Sequence, residues 1–299
     1  MKNMEKTIRE IIKHELNESI ISIRAINGLG SVNKVFDIRT ENDEYIIRLN
    51  EDRGKELEYQ KEKWCIENAA KLGIPSPKVL KTGLHGSISF MIQNKISGAN
   101  GNHCKPEDKA YIWKNLGNYA AKYHQAGRIE VEAVEEHEFH KNWEARLEYN
   151  LRELNEQDSL LKKEILNFEE QQSAKKVLSG LKKVQFKTGL VHGDLCPRNI
   201  IFDNGTVFLL DWGTAEINVV PHNEIGIVLM SNEADEGEFD LFLEGLGISS
   251  AEYQKIKREI EALNLLHRLD KYRWAEGHQV ENIKEYEQKV KEALRSCSP

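Results

Sequence analysis

Apolar residues recur at helical spacing near the start of the chain, where Ile8, Ile11, Ile12 and Leu16 stand among charged neighbours. That period predicts an amphipathic helix. The period then shortens. Residues 21–26, 35–40 and 45–49 are short β-rich runs, separated by the turn formers Asn27-Gly28-Leu29-Gly30 and Glu41-Asn42-Asp43. They predict a three-stranded meander. A charged helix is expected over 55–72, because Gly73 follows it and Pro75 and Pro77 lie just beyond. Glycine past the end and proline after it stop a helix. Residues 79–81 and 88–92 predict two further strands.

After Gly98 helical spacing dominates, over 106–125, 143–155, 160–178, 251–277 and 281–294, and one β-rich island at 190–211 interrupts it. No internal repeat or low-complexity linker is visible. The pattern predicts an α+β chain with a small β-rich N-lobe over 1–97 and a larger, mainly helical C-lobe over 98–299. A cleft between the lobes is the expected place for a ligand.

Composition narrows the function classes. With 299 residues the chain can bury a sizeable core. Its 39% hydrophobic and 30% charged residues describe a globular protein with many exposed helical faces. No apolar run approaches the ~20 residues needed to cross a bilayer. Met1 to Lys6 lead into an amphipathic stretch and not into a signal-peptide core. A cytoplasmic protein without a membrane partner is therefore expected. The net charge of -7 argues against a nucleic-acid partner, which needs a clustered basic face. Cys65, Cys104, Cys196 and Cys297 are scattered, so neither a disulfide framework nor a cysteine zinc site is expected.

The β-rich island carries the candidate chemistry. Asp194 and Asn199 stand five residues apart in a loop stiffened by Pro197, and Asp211 follows twelve residues later at the end of an apolar strand. Phosphoryl transfer needs one carboxylate to orient the attacking hydroxyl and accept its proton. A second carboxylate, helped by an amide oxygen, must hold Mg²⁺ on the triphosphate. Asp194 suits the first role, and Asn199 with Asp211 suits the second. Asp203-Asn204-Gly205 reads instead as a hairpin turn.

His-Gly-Asp-Leu-Cys-Pro-Arg-Asn-Ile-Ile from His192, followed by Leu-Leu-Asp-Trp-Gly from Leu209, resembles the catalytic and metal loops of the aminoglycoside phosphotransferase and choline kinase superfamily. The resemblance implies a protein-kinase-like fold, ATP and Mg²⁺ as cofactors, and transfer of the γ-phosphoryl to a hydroxyl of a small molecule. It implies Asp194 as catalytic base, Asn199 and Asp211 as Mg²⁺ ligands, and His192 as the histidine that organises the loop. Residues 27–33 fall where the family has its nucleotide-covering loop, with Gly30, Ser31 and Asn33 facing the nucleotide. Arg48 falls where kinases place the cation that touches the α- and β-phosphates. Its implied partner on the next helix is Glu62, with Glu58 one turn earlier as the alternative. Gln93, Asn94 and Ile96 belong to the hinge whose backbone would bond adenine. One segment departs from the family pattern. Where many members have Gly-Asp-Pro-x-x-Asp, this chain reads Val220-Pro221-His222-Asn223-Glu224, and Glu224 stands in for the structural aspartate.

The sequence offers two candidate features for the acceptor. One is the acidic run Glu233, Asp235, Glu236, Glu238 and Asp240, and the other is Trp274 with Glu276 and His278. Carboxylates beside an aromatic ring suit a cationic acceptor such as an aminoglycoside or choline. The plainer reading is a solvated acidic face and a core tryptophan. The catalytic residues equally fit a metabolite kinase acting on choline, ethanolamine, homoserine, methylthioribose or a sugar-amine, and a non-catalytic nucleotide-binding module is the reading from another class. A protein kinase is disfavoured, because no Ala-Pro-Glu follows Asp211.

Overall fold

A computed structural model describes residues 2–26, 33–130 and 143–297. Gly30 and Ser31, expected in the nucleotide loop, lie outside these residues. The first elements in order are α1 (Lys2–Leu16), β1 (Ile20–Ile26), β2 (Lys34–Thr40), β3 (Glu44–Asn50), α2 (Lys55–Lys71), β4 (Val79–His85), β5 (Ile88–Asn94) and β6 (Ala99–Asn100). There follow α3 (Pro106–Tyr123), α4 (Trp143–Glu153), α5 (Ser159–Lys162), α6 (Phe168–Leu181), β7 (Thr188–Val191), β8 (Ile200–Asp203), β9 (Thr206–Leu209) and β10 (Glu216–Val219). The chain closes with α7 (His222–Ser231), α8 (Glu236–Leu246), α9 (Ser250–Gly277) and α10 (Ile283–Ser296). No helix among the described residues is long and apolar enough to cross a membrane.

The chain divides into two compact units. The first gathers the described residues of Met1–Ile112, Ile129–Ala133 and Pro197–Ala215. Its main sheet is antiparallel, in the order β1-β2-β3-β5-β4. The strand period sorts β3 into two faces. Tyr45, Ile47 and Leu49 join Ile8, Ile11 and Ile12 of α1 in one apolar core. Ile46, Arg48 and Asn50 alternate with them along the strand. Helix α2 packs on β4 and β5 and buries Tyr59, Glu62, Cys65, Ile66 and Ala69, a stripe at helical spacing. It ends as expected: Gly73 is left-handed (φ 70°), and the N–H groups of Gly73 and Ile74 close onto the carbonyls of Ala70 and Ala69. A smaller sheet, β6-β8-β9, completes this unit. In its hairpin Asn204 and Gly205 both have positive φ, as the tight turn read from the sequence requires.

The second unit gathers Trp113–Arg128, the described part of Val134–Cys196, and Glu216–Pro299. Its core joins Trp143 and Leu147 of α4, Leu178 of α6, Leu266, Leu269 and Tyr272 of α9, and Val290 and Leu294 of α10. Strands β7 and β10 form a two-stranded antiparallel ribbon. Two expectations about helices needed revision. The helix expected over 160–178 is two, because Asn167 caps α6 in a reciprocal pair with Glu170 and so starts a new helix there. The period also predicts no element over 222–246, yet α7 and α8 lie there. The overlooked signal is the same one, since Asp235 and Glu238 form the box that opens α8.

Candidate active site

Within the first unit the groups expected to meet phosphate and metal come together. Arg48, on β3 between Val35 of β2 and Met91 of β5, turns its guanidinium to α2. Its Nη1 donates to Glu62 Oε1 at 2.6 Å, and its Nη2 donates to Asp211 Oδ1 at 3.3 Å. Glu62 is the partner, and not Glu58, which pairs with Lys55. Glu62 is 1% exposed. Burial pushes its carboxyl up, and Arg48 only partly offsets this. Burial works against the Arg48 charge, but Glu62 and Asp211 more than reverse that and hold it cationic.

Asp211 follows β9 in a left-handed conformation (φ 55°, ψ 69°). This is a costly backbone for a residue with a Cβ, and it aims the carboxylate out of the strand line. The Leu210 N–H bonds the Asn199 carbonyl at 2.9 Å, so Asn199 is fixed opposite the residue before Asp211. Asn100 Nδ2 donates to the carbonyls of Arg198 and Ile200, which steadies the turn that presents Asn199. Asn199 and Asp211 thus offer an amide oxygen and a carboxylate from neighbouring backbone positions. A Mg²⁺ on a triphosphate needs little more from the protein, since water and phosphate oxygens complete its shell. The residues present fit the ion.

Three neighbours complete the cluster, two of them, Lys61 and Tyr59, without a sequence signal. Lys61 Nζ donates to the Gly213 carbonyl at 2.8 Å and ties the segment after Asp211 to α2. A Cβ on Gly213 would lie 3.3 Å from Asp211 Oδ1 and 3.8 Å from Glu62 Oε2, so the glycine leaves room between the two carboxylates. Tyr59 lies under Arg48, whose Cζ is 5.7 Å from the ring centre. At the expected hinge, the Asn94 N–H is spent on the Lys78 carbonyl and the Lys95 N–H on the Glu44 carbonyl. Gln93 is paired within β5, opposite Ile46 of β3. Among the described residues the Ile96 N–H makes no backbone hydrogen bond.

The second unit holds the loop that carries Asp194. Strand β7 delivers a fully buried His192, whose N–H donates to Glu224 Oε2 at 2.9 Å. Gly193 is left-handed (φ 79°), and the Asp194 N–H returns to His192 Nδ1 at 3.3 Å. The loop is therefore closed on itself and anchored from below, with Asp194 half-buried at its tip. Glu224 does occupy a structural position: it is 0% exposed, and His124 Nε2 lies 3.6 Å from its Oε2. Burial acts to raise its carboxyl, but the His124 and His192 contacts prevail and hold it below the usual range.

The acceptor candidates fare differently. Asp235 and Glu238 are engaged in capping α8. Glu276 accepts from Lys163 Nζ at 2.6 Å and Ser159 Oγ at 2.7 Å, so it knits α9 to α5. Trp274 is half-exposed and stacks on His278, with ring centres 4.7 Å apart.

The sequence profile of the phosphotransferase enzyme family matches residues 22–258. No curated protein sequence matches significantly. Among solved structures, a thermostable mutant of aminoglycoside phosphotransferase APH(4)-Ia, in complex with ADP and hygromycin B, superposes with a TM-score of 0.71 at 13% identity, covering 98% of this chain and 99% of that one. Choline kinase LicA from Streptococcus pneumoniae gives 0.65 at 19% identity, covering 99% of each chain. Spectinomycin phosphotransferase APH(9)-Ia, with ADP and spectinomycin, gives 0.62 at 15%, covering 98% and 97%. The fold is the expected α+β, protein-kinase-like one.

Proposed function

The chain belongs to the phosphotransferase enzyme family, and from that premise we propose that it transfers the γ-phosphoryl of ATP to a hydroxyl of a small molecule, with an aminoglycoside-type acceptor as the first candidate. The observation that carries this reading is the Arg48 network. A guanidinium held by buried Glu62 and by Asp211 commits two of its five N–H groups and keeps the rest for phosphate oxygens. The amide and carboxylate oxygens of Asn199 and Asp211 belong to the same unit.

Asp194 orients the acceptor hydroxyl and takes its proton as the hydroxyl oxygen bonds to phosphorus and ADP departs. Arg48 faces the charge that spreads over the transferring group. Asn199 and Asp211 would hold a Mg²⁺ ion, which when bound would supply charge neutralisation on the phosphate oxygens. The buried anchor of His192 on Glu224 keeps the Asp194 loop from relaxing between turnovers. No covalent phospho-enzyme is required. Metabolite acceptors (choline, ethanolamine, homoserine, methylthioribose, sugar-amines) are the alternatives, and a cationic acceptor also fits the net charge of -7.

The test is thermal unfolding with and without Mg-ATP, followed by ADP release across aminoglycosides, choline and simple alcohols. A ligand at 100 times its Kd adds about 2.7 kcal/mol of stability, so a rise in Tm with Mg-ATP and acceptor-dependent ADP release are expected. A chain that no nucleotide stabilises would refute the reading, including its non-catalytic variant.

A further inference from the structure

A second network runs from Arg48 away from the carboxylates. The Tyr59 ring lies beneath the guanidinium, and its hydroxyl donates to Asn33 Oδ1 at 3.0 Å. Asn50, two residues beyond Arg48 on β3, donates its Nδ2 to the same oxygen, also at 3.0 Å. Asn50 is fixed in turn, since its Oδ1 accepts the Asp52 N–H at 2.9 Å. Tyr59 is 2% exposed, and burial pushes its phenol well above the ordinary value. The hydroxyl therefore stays protonated and acts as a donor.

These contacts determine which way the Asn33 carboxamide points. An amide has two acceptor lone pairs on oxygen and two N–H donors on nitrogen. Here two donors occupy the oxygen. The Nδ2 end must then face the other way, and among the described residues it meets no acceptor. A side chain whose acceptor is saturated and whose donors are open is matched to an anion. Arg48, over the same tyrosine ring, is likewise left with open N–H groups.

We propose that Tyr59 is a positioning residue that sets Asn33 and Arg48 together for nucleotide phosphate, with the Asn33 Nδ2 donating to a phosphate oxygen. The proposal rests on the reading of Arg48 as the phosphate-binding cation. It adds that phosphate affinity depends on a buried phenol that touches no phosphate.

Tyr59→Phe isolates the hydroxyl, because the ring under Arg48 is kept. Titration calorimetry with Mg-ATP, ADP and adenosine on the full chain reads the effect. One hydrogen bond of ordinary strength corresponds to roughly a fivefold change in affinity. Tyr59→Phe should therefore weaken Mg-ATP and ADP roughly fivefold while adenosine, which has no phosphate, binds as to the wild type. A general structural role would weaken all three. Asn33→Ala should have a similar effect, and the double variant should be no worse than the worse single one, because both changes remove the same donor. Unchanged Mg-ATP affinity in Tyr59→Phe, an equal loss for adenosine, or additive effects in the double variant would each overturn the proposal and leave the phosphotransferase reading standing. Failure of the wild type to bind any of the three ligands would overturn both.

Discussion

Arg48 is the residue at which strand, helix and metal-side loop are joined, and its removal should be costly for stability as well as activity. Its side chain is 13% exposed and that of Glu62 1%. Removing one member of a buried pair leaves the other charge unpaired, typically at about 3–5 kcal/mol. Arg48→Met should lose stability of that order in denaturant unfolding. The loss should shrink at low pH. A carboxyl whose folded pKa lies above its unfolded value stabilises less as pH rises through that window. Burial already pushes Glu62 up with Arg48 present, and without the cation it rises further. At pH 5 more of the Glu62 is neutral than at pH 8, so the deficit should be smaller at pH 5. An equal deficit at both would show that Glu62 is not the orphaned group. The Arg48–Glu62 pair was legible in the sequence through the resemblance, which placed the cation on the third strand and its partner on the next helix but left Glu58, one turn earlier, as an alternative that only the structure removes. Tyr59 and Lys61 were not legible, since their roles arise from contacts with Asn33 and Gly213 over long sequence distances that no local pattern encodes.

At the scale of elements, the long strands and amphipathic helices could be read from periodicity, and the capped short helices could not. Helix α8 was hidden in an acidic run whose capping box looked like a solvated charge cluster. What places it is close backbone approach. A Cβ on Gly117 of α3 would stand 2.1 Å from the Phe242 carbonyl of α8, and one on Gly245 would stand 2.0 Å from the Lys114 carbonyl. Backbone cannot yield as a side-chain tip can. Gly117→Ala should cost about 1–3 kcal/mol, in the range of overpacking, although alanine is the better helix former in an exposed helix. A stabilised Gly117→Ala would contradict this account of the crossing. Helix α9 makes a pH prediction. Burial, reinforced by the charges of Lys271 and Arg268, lowers His267 to about 3. The unfolded chain therefore takes up this proton first on acidification, and stability falls as pH drops from about 6.5 toward 3. His267→Gln should move the acid-unfolding midpoint to lower pH. Asp270, one turn away, has the opposite sign: burial raises it to about 6, against the opposing effect of Asn150 and two arginines. Its charged form costs stability above about pH 6, and that cost is relieved as pH falls from about 6 to 4, so Asp270→Asn should gain stability at pH 8 and lose that gain by pH 4. A gain for Asp270→Asn that is as large at pH 4 as at pH 8, or an acid midpoint unmoved by His267→Gln, would show that these groups do not titrate as described.

For the whole molecule, the proposed chemistry is divided between two units of the chain. Asp194 and its His192–Glu224 anchor belong to one, and Arg48, Glu62, Asn199 and Asp211 to the other. The loop motif by itself points to the reaction class, because Asp194, Asn199 and Asp211 stand at fixed spacings whatever the acceptor. The acceptor itself was not legible. Glu276 and the Asp235–Glu238 pair, which looked available for a cation, are engaged in holding helices together, and a charge engaged that way has the same sequence signature as one awaiting a ligand. The most direct test is the transfer of γ-phosphoryl from Mg-ATP to an accepted hydroxyl, read as phosphorylated product, with wild type beside Asp194→Asn. The account predicts that the asparagine variant binds Mg-ATP as well as the wild type but forms product roughly 10²–10⁴ times more slowly, the usual contribution of a positioned base. Product formed at the wild-type rate by Asp194→Asn would contradict it.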